Sequence, residues 1–234
     1  MKKQQVIYSK AAAKTGMIAL GLAMVMACSH TTEEAPQVTK EGLNLVNSSS
    51  SALAYERAGV DFNDYQKVLI LPSQVAFKKN WERSYNSSQG GSMKRITPKD
   101  VLSIKAKVAD LFDEVFTQEI KENGTLEVVD KSGVSTLLLK PFILNLDITA
   151  PDIHNGSTIR TYTKNSGEAT LYLEVYDGVS GEILARLIDN EIIGNDSFMQ
   201  WANRVSNTAD AKRTIKKWVE TLRKQFETTK AKTM

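Results

Sequence analysis

Residues able to do chemistry are scarce in this chain. Cys28 is the single cysteine among 234 residues, and His30 and His154 are the two histidines. Asp152 and His154 form an Asp-x-His pair, but no third ligand stands near them, and zinc-type sites need at least three protein ligands. In SSQGGSMKR, Gly90 and Gly91 precede Lys94 and Arg95. Their spacing is not that of a phosphate cradle, which opens directly into a helix, so the segment reads as a surface loop. Asp177 and Glu182 offer two carboxylates, yet Asp177 heads an Asp-Gly turn, a role that needs no catalysis. His-Glu-x-x-His, Gly-x-Ser-x-Gly, Ser-x-x-Lys and paired-cysteine motifs are absent from the sequence. The expectation is a chain with no catalytic residue, no metal and no cofactor. The alternative is a small envelope hydrolase whose carboxylates are brought together by the fold.

The cysteine makes sense through its surroundings. Lys2, Lys3, Lys10 and Lys14 lead into the apolar run MIALGLAMVMA, Met17 to Ala27, with no acid before it. A basic segment, a short apolar core and small residues before a cut make a secretory signal. The run is short of the about 20 apolar residues a membrane-spanning helix needs. Lys plus Arg total 30 and Asp plus Glu 27, a net charge of +3. Four of those lysines lie before Cys28, so residues 28–234 carry a net of −1. The basic balance belongs to the signal, and it gives no argument for nucleic-acid binding.

Val25, Met26, Ala27 and Cys28 resemble the bacterial lipoprotein signal, roughly Leu-(Ala/Ser)-(Gly/Ala)-Cys. The resemblance implies cleavage between Ala27 and Cys28, a lipid on the Cys28 thiol and acylation of the new amine. It also implies a destination: chains with Asp after the cysteine stay at the inner membrane, whereas Ser29 sends this one outward. An uncleaved N-terminal anchor and an ordinary secreted protein with a free thiol are the competing readings. Without Cys28 no thiol is left for a disulfide, so packing alone must hold the fold.

The elements that would position any site follow. Residues 28–58 are rich in Ser, Thr, Asn and Glu and include the run Ser48 to Ser51, which reads as a lipidated N-terminus and flexible tether with a typical end-to-end distance of about 30 Å. Val68 to Leu71, closed by Pro72, suits a buried strand. Thr97, Pro98 and Asp100 predict a capped helix start, and Val101, Ile104, Val108, Leu111, Phe112 and Val115 give it one apolar face, with Asn123-Gly124 as its stop. Strands follow in TLEVVD and PFILNLDITA, the latter with Phe142, Leu144, Leu146 and Ile148 on one face. IRTYT is expected to pair with ATLYLEVY. In ATLYLEVY, Ala169, Leu171, Leu173 and Val175 face one way and Thr170, Tyr172, Glu174 and Tyr176 the other. DGVSG turns the chain into EILARLIDNEII. A last helix near 208–228 carries the stripe Ile215, Trp218, Val219, Leu222 and Phe226.

This order predicts an α+β fold: one mixed, mostly antiparallel sheet of about five strands with two helices packed on one face. The expected organisation is a signal peptide over 1–27, the tether over 28–58, a single periplasmic domain over 59–229 and a disordered tail over 230–234. YERAGVDFNDYQKVLILPSQVAF, GEATLYLEVYDGVSGEILARLID and KKWVETLRKQF resemble Gram-negative lipoproteins catalogued as domain of unknown function 3313. That resemblance spans about residues 53 to 228, and Leu71 before Pro72 departs from the acid expected there. It implies an envelope lipoprotein with no established activity. The element order is also similar, at fold level only, to periplasmic modules of lipoproteins that activate peptidoglycan synthases. The functional expectation is a non-enzymatic domain lipid-anchored to the outer membrane of a Gram-negative bacterium, on the periplasmic face. It would dock an envelope protein or cell-wall component, with Tyr172, Glu174 and Tyr176 as candidate contacts.

Overall fold

The computed structural model describes residues 34–88, 95–151, 161–194, 200–202 and 204–233. Its strands are β1 (Leu43–Ser48), β2 (Ala52–Arg57), β3 (Lys67–Ile70), β4 (Gln74–Phe77), β5 (Glu127–Val128), β6 (Thr136–Ile148), β7 (Thr161–Thr163), β8 (Gly167–Asp177), β9 (Ile183–Ile193) and β10 (Gln200–Ala202). Its helices are α1 (Trp81–Ser88), α2 (Pro98–Asn123) and α3 (Arg204–Thr233). A mixed sheet of eight strands runs in the order β1-β2-β9-β8-β6-β3-β5, with β4 also paired to β6. Mixed α and β structure agrees with the expectation. The strand number is higher than the five foreseen, and α1 is a third helix.

The start of α2 is written in its sequence. Asp100 N–H donates to Thr97 Oγ1 at 3.3 Å, and Thr97 N–H donates to Asp100 Oδ2 at 2.9 Å, closing a capping box with Pro98 in the first turn. Phe112, Val115, Phe116 and Ile120 are its buried apolar residues. In α3, the foreseen stripe of Ile215, Trp218, Val219 and Leu222 is buried, and the ring centres of Phe112 and Trp218 lie 6.3 Å apart. Both helices therefore press on one face of the sheet, against Leu137, Leu139, Ile143, Leu171, Leu173 and Val175. The antiparallel β8–β9 hairpin forms across the DGVSG turn as predicted, while β3 pairs parallel with both β5 and β6 and β6 pairs antiparallel with β8.

Four expectations are corrected, the first being the disordered tail over 230–234, through which α3 runs to Thr233. Within the segment 28–58 read as tether, residues 43–57 form the β1–β2 hairpin, and β2 pairs with β9. The serine run is its turn: Ser49 Oγ accepts from Ala52 N–H at 2.9 Å. Two six-residue strands, one of them bulged between Leu45 and Asn47, are too short to show periodicity against a polar background. IRTYT does not pair with β8, because β6 and β9 already occupy both edges of that strand; β7 pairs with β10 instead. On β6, Leu137, Leu139 and Ile143 face the helices, and Phe142 and Leu144 face away. A bulge at Asn145, with φ of 52°, then brings Leu146 inward. One extra residue inverts the parity of everything beyond it.

Candidate functional site

The face of the sheet opposite α2 and α3 is where the expected contact residues meet. Alternation on β8 sends Leu171, Leu173 and Val175 into the core and Tyr172, Glu174 and Tyr176 to this second face. The register puts Lys140 of β6 beside Glu174, Glu174 beside Arg186 of β9, and Arg186 beside Tyr55 of β2. A second apolar cluster of Leu43, Tyr55 and Ile183, with Leu45, Leu53, Tyr176 and Ile188 packed around it, lies here and contains no helix residue.

Glu174 is the hub. Arg186 Nη2 donates to Glu174 Oε1 at 3.0 Å, Tyr176 OH donates to Oε2 at 2.7 Å, and Tyr172 OH lies 3.4 Å from Oε1. From the other side, Glu41 Oε2 accepts from Arg186 Nη1 at 3.2 Å. The guanidinium also sits 5.2 Å from the centre of the Tyr172 ring, which meets Phe142 edge-on at 5.9 Å. The Lys140 ammonium stands 5.1 Å from the centre of the Phe142 ring. The result is a charged centre framed by aromatic rings.

Burial and the nearby carboxylate push the Tyr176 hydroxyl up to about 12, and burial raises that of Tyr172. The hydrogen bond from Arg186 leads in holding the Glu41 carboxyl down to about 2. Both tyrosines are thus protonated donors, and Glu41 and Arg186 are charged, at neutral pH. Groups fixed in this way are suited to recognition by stacking and hydrogen bonding rather than to proton transfer.

Other chemistry-bearing residues fall elsewhere. Asp177 Oδ1 accepts from the backbone of Val179 at 2.9 Å and of Ser180 at 2.6 Å, while Tyr65 OH donates to its Oδ2 at 2.9 Å. These bonds lower its carboxyl to about 2 and give it the turn role read from the sequence. Asp189 lies on the core face of β9, is 2% exposed, and its Oδ1 has no partner among the described residues. Two apolar cavities, of about 200 and 160 Å³, lie between the helix pair and the sheet. Among the described residues no three of His, Cys, Asp and Glu are grouped to hold a metal ion. No described helix is long and apolar enough to cross a membrane. Ala27, Cys28, Ser29, His30, Asp152, His154 and the glycines of the 87–95 loop lie outside the described residues.

Sequence reasoning named Tyr172, Glu174 and Tyr176 but missed Arg186, Glu41, Lys140 and Phe142. Arg186 carries a signal of its own, a lone cation at an outward position between Ala185 and Leu187. Its partner becomes known only with the β8–β9 register.

A family model described as "Protein of unknown function (DUF3313)" matches residues 41–222. No curated protein matches the chain. Among solved structures, the PelC dodecamer from Paraburkholderia phytofirmans is similar at 9% identity and a TM-score of 0.37, covering 74% of this chain and 96% of that one. Protein XCC0632 from Xanthomonas campestris, of family DUF330, is similar at 8% identity and a TM-score of 0.40, covering 72% and 88%. A PDZ domain protein from Parabacteroides distasonis is similar at 15% identity and a TM-score of 0.34, covering 71% and 34%.

Proposed function

The chain belongs to the DUF3313 family of proteins of unknown function, and from its own residues we propose a non-enzymatic lipoprotein that docks another envelope component through the helix-free face of its sheet. Lipid on Cys28, cleavage after Ala27 and the Ser29 sorting signal put the domain on the periplasmic face of the outer membrane. Tethering raises the domain's effective concentration near its partner.

The observation that supports docking is the chemistry of the outward positions. An antiparallel sheet with one solvated face alternates apolar-in with polar-out. Here the outward positions include Phe142, Leu144, Tyr172, Tyr176 and Ile188, around the Arg186–Glu174 pair. Aromatic and arginine residues are the types that dominate binding energy at interfaces.

Two experiments test this. Palmitate labelling of the parent against Cys28→Ala checks the anchor, and equal labelling sinks it. A photo-crosslinker placed at Tyr172 in intact cells should capture a defined product, with a probe at the exposed Lys79 as control. Identical patterns at both positions would remove the docking face.

A further inference from the structure

The charges on the helix-free face are ordered. Across the sheet, from β6 toward the β1 edge, they run Lys140, Glu174, Arg186 and Glu41. The signs alternate plus, minus, plus, minus, and the row is neutral overall. Lys140 has no carboxylate partner among the described residues; its ammonium contact is the Phe142 ring.

A row of this kind is complementary to its own reverse. A two-fold axis lying parallel to the strands, between β8 and β9, turns one sheet over onto another and reverses the row. Lys140 then meets Glu41 of the second copy, and the enclosed Glu174–Arg186 pairs of the two copies face each other. The Lys140–Glu41 contact joins opposite charges and occurs twice, as an isologous interface requires. The aromatic and aliphatic positions on either side of the row, Phe142, Tyr172 and Ile188 on one flank and Leu138 and Tyr176 on the other, pack between the sheets as in an aligned β-sandwich.

We propose that the component docked on the helix-free face is a second copy of this chain, held as a two-fold dimer by Lys140–Glu41 contacts between copies, above the enclosed Glu174–Arg186 pairs. The proposal rests on the docking reading above and names the occupant of the same face.

Sedimentation of the chain with Cys28→Ala, free of lipid, tests it. The parent is expected to be a concentration-dependent dimer. Lys140→Glu sets like charges against each other between copies and should weaken the dimer on the order of tenfold, and Lys140→Ala, which puts no like charge beside Glu174, should weaken it less. Adding Glu41→Lys to the Lys140→Glu variant should restore association to within about threefold. A parent that stays monomeric at about 100 μM, or a Lys140→Glu variant that dimerises as tightly as the parent, overturns the proposal. If the Tyr172 crosslink then yields a different protein, docking stands and self-association falls; if it yields nothing, both fall.

Discussion

Arg186 Nη2 lies 3.0 Å from Glu174 Oε1, with side-chain exposures of 10% and 13%, on a face that no described helix covers. The two are shielded instead by their neighbours in the sheet, Tyr172 and Tyr176 among them. A charge pair so enclosed is costly to break on one side, because the surviving partner keeps its burial and loses its counter-charge.

Arg186→Ala should therefore destabilise the domain by about 2–4 kcal/mol, read from urea unfolding. Tyr176→Phe removes one hydrogen bond to Glu174 and should cost about 1 kcal/mol. An Arg186→Ala variant as stable as the parent would show that the pair is ornamental.

Asp189 gives the fold a pH dependence. Burial foremost, with the nearby Glu191, raises its carboxyl from 3.8 to about 6, against Lys217 and a hydrogen bond from Thr221. The folded state therefore holds this proton more tightly than the unfolded chain does. Its contribution is fully favourable below about pH 4, is lost as pH rises through about 6, and is flat beyond. Asp189→Asn should abolish that decline and raise stability at about pH 8 by roughly 1–3 kcal/mol. Denaturant midpoints at about pH 5 and about pH 8 check both statements.

The helix cap is separable from the site. Thr97→Ala removes the acceptor for Asp100 N–H and should cost about 1 kcal/mol, whereas Thr97→Ser should be nearly neutral. Thermal unfolding of the two variants distinguishes the cap from a general effect at the position.

Gly178 holds two loops together at one end of the sheet. A Cβ there would lie 2.6 Å from both Ser132 Oγ and the Thr136 carbonyl oxygen, and Gly178 N–H donates to that oxygen at 2.9 Å. Gly178→Ala should destabilise by about 1–3 kcal/mol and speed amide exchange at the turn, measurable by hydrogen–deuterium exchange.

What could be read in advance depended on length and on local chemistry. The start of α2 was legible because Thr97, Pro98 and Asp100 specify it within four residues. The Trp218 stripe and the β8–β9 hairpin were legible because their periods persist over many residues. The β1–β2 hairpin was not, since each strand has six residues and one is bulged. The bulge at Asn145 left no mark that a parity count could follow. At the candidate site, Tyr172, Glu174 and Tyr176 were found from alternation alone. Arg186, Glu41 and Lys140 needed cross-strand register, which a single sequence does not encode locally.

The hairpin at 43–57 also changes what an anchor at Cys28 permits. Gln37 is already hydrogen-bonded to Leu45, so in the proposed lipidated form only residues 29–37 would separate the lipid from the sheet. Nine residues span at most about 30 Å when drawn straight, which makes the connection a short mooring rather than a long line. A domain moored so closely would patrol its own leaflet and meet, above all, what is moored beside it. Under the proposed anchor, encounters between neighbouring copies would become a search in two dimensions, with a frequency set by how densely the membrane is populated.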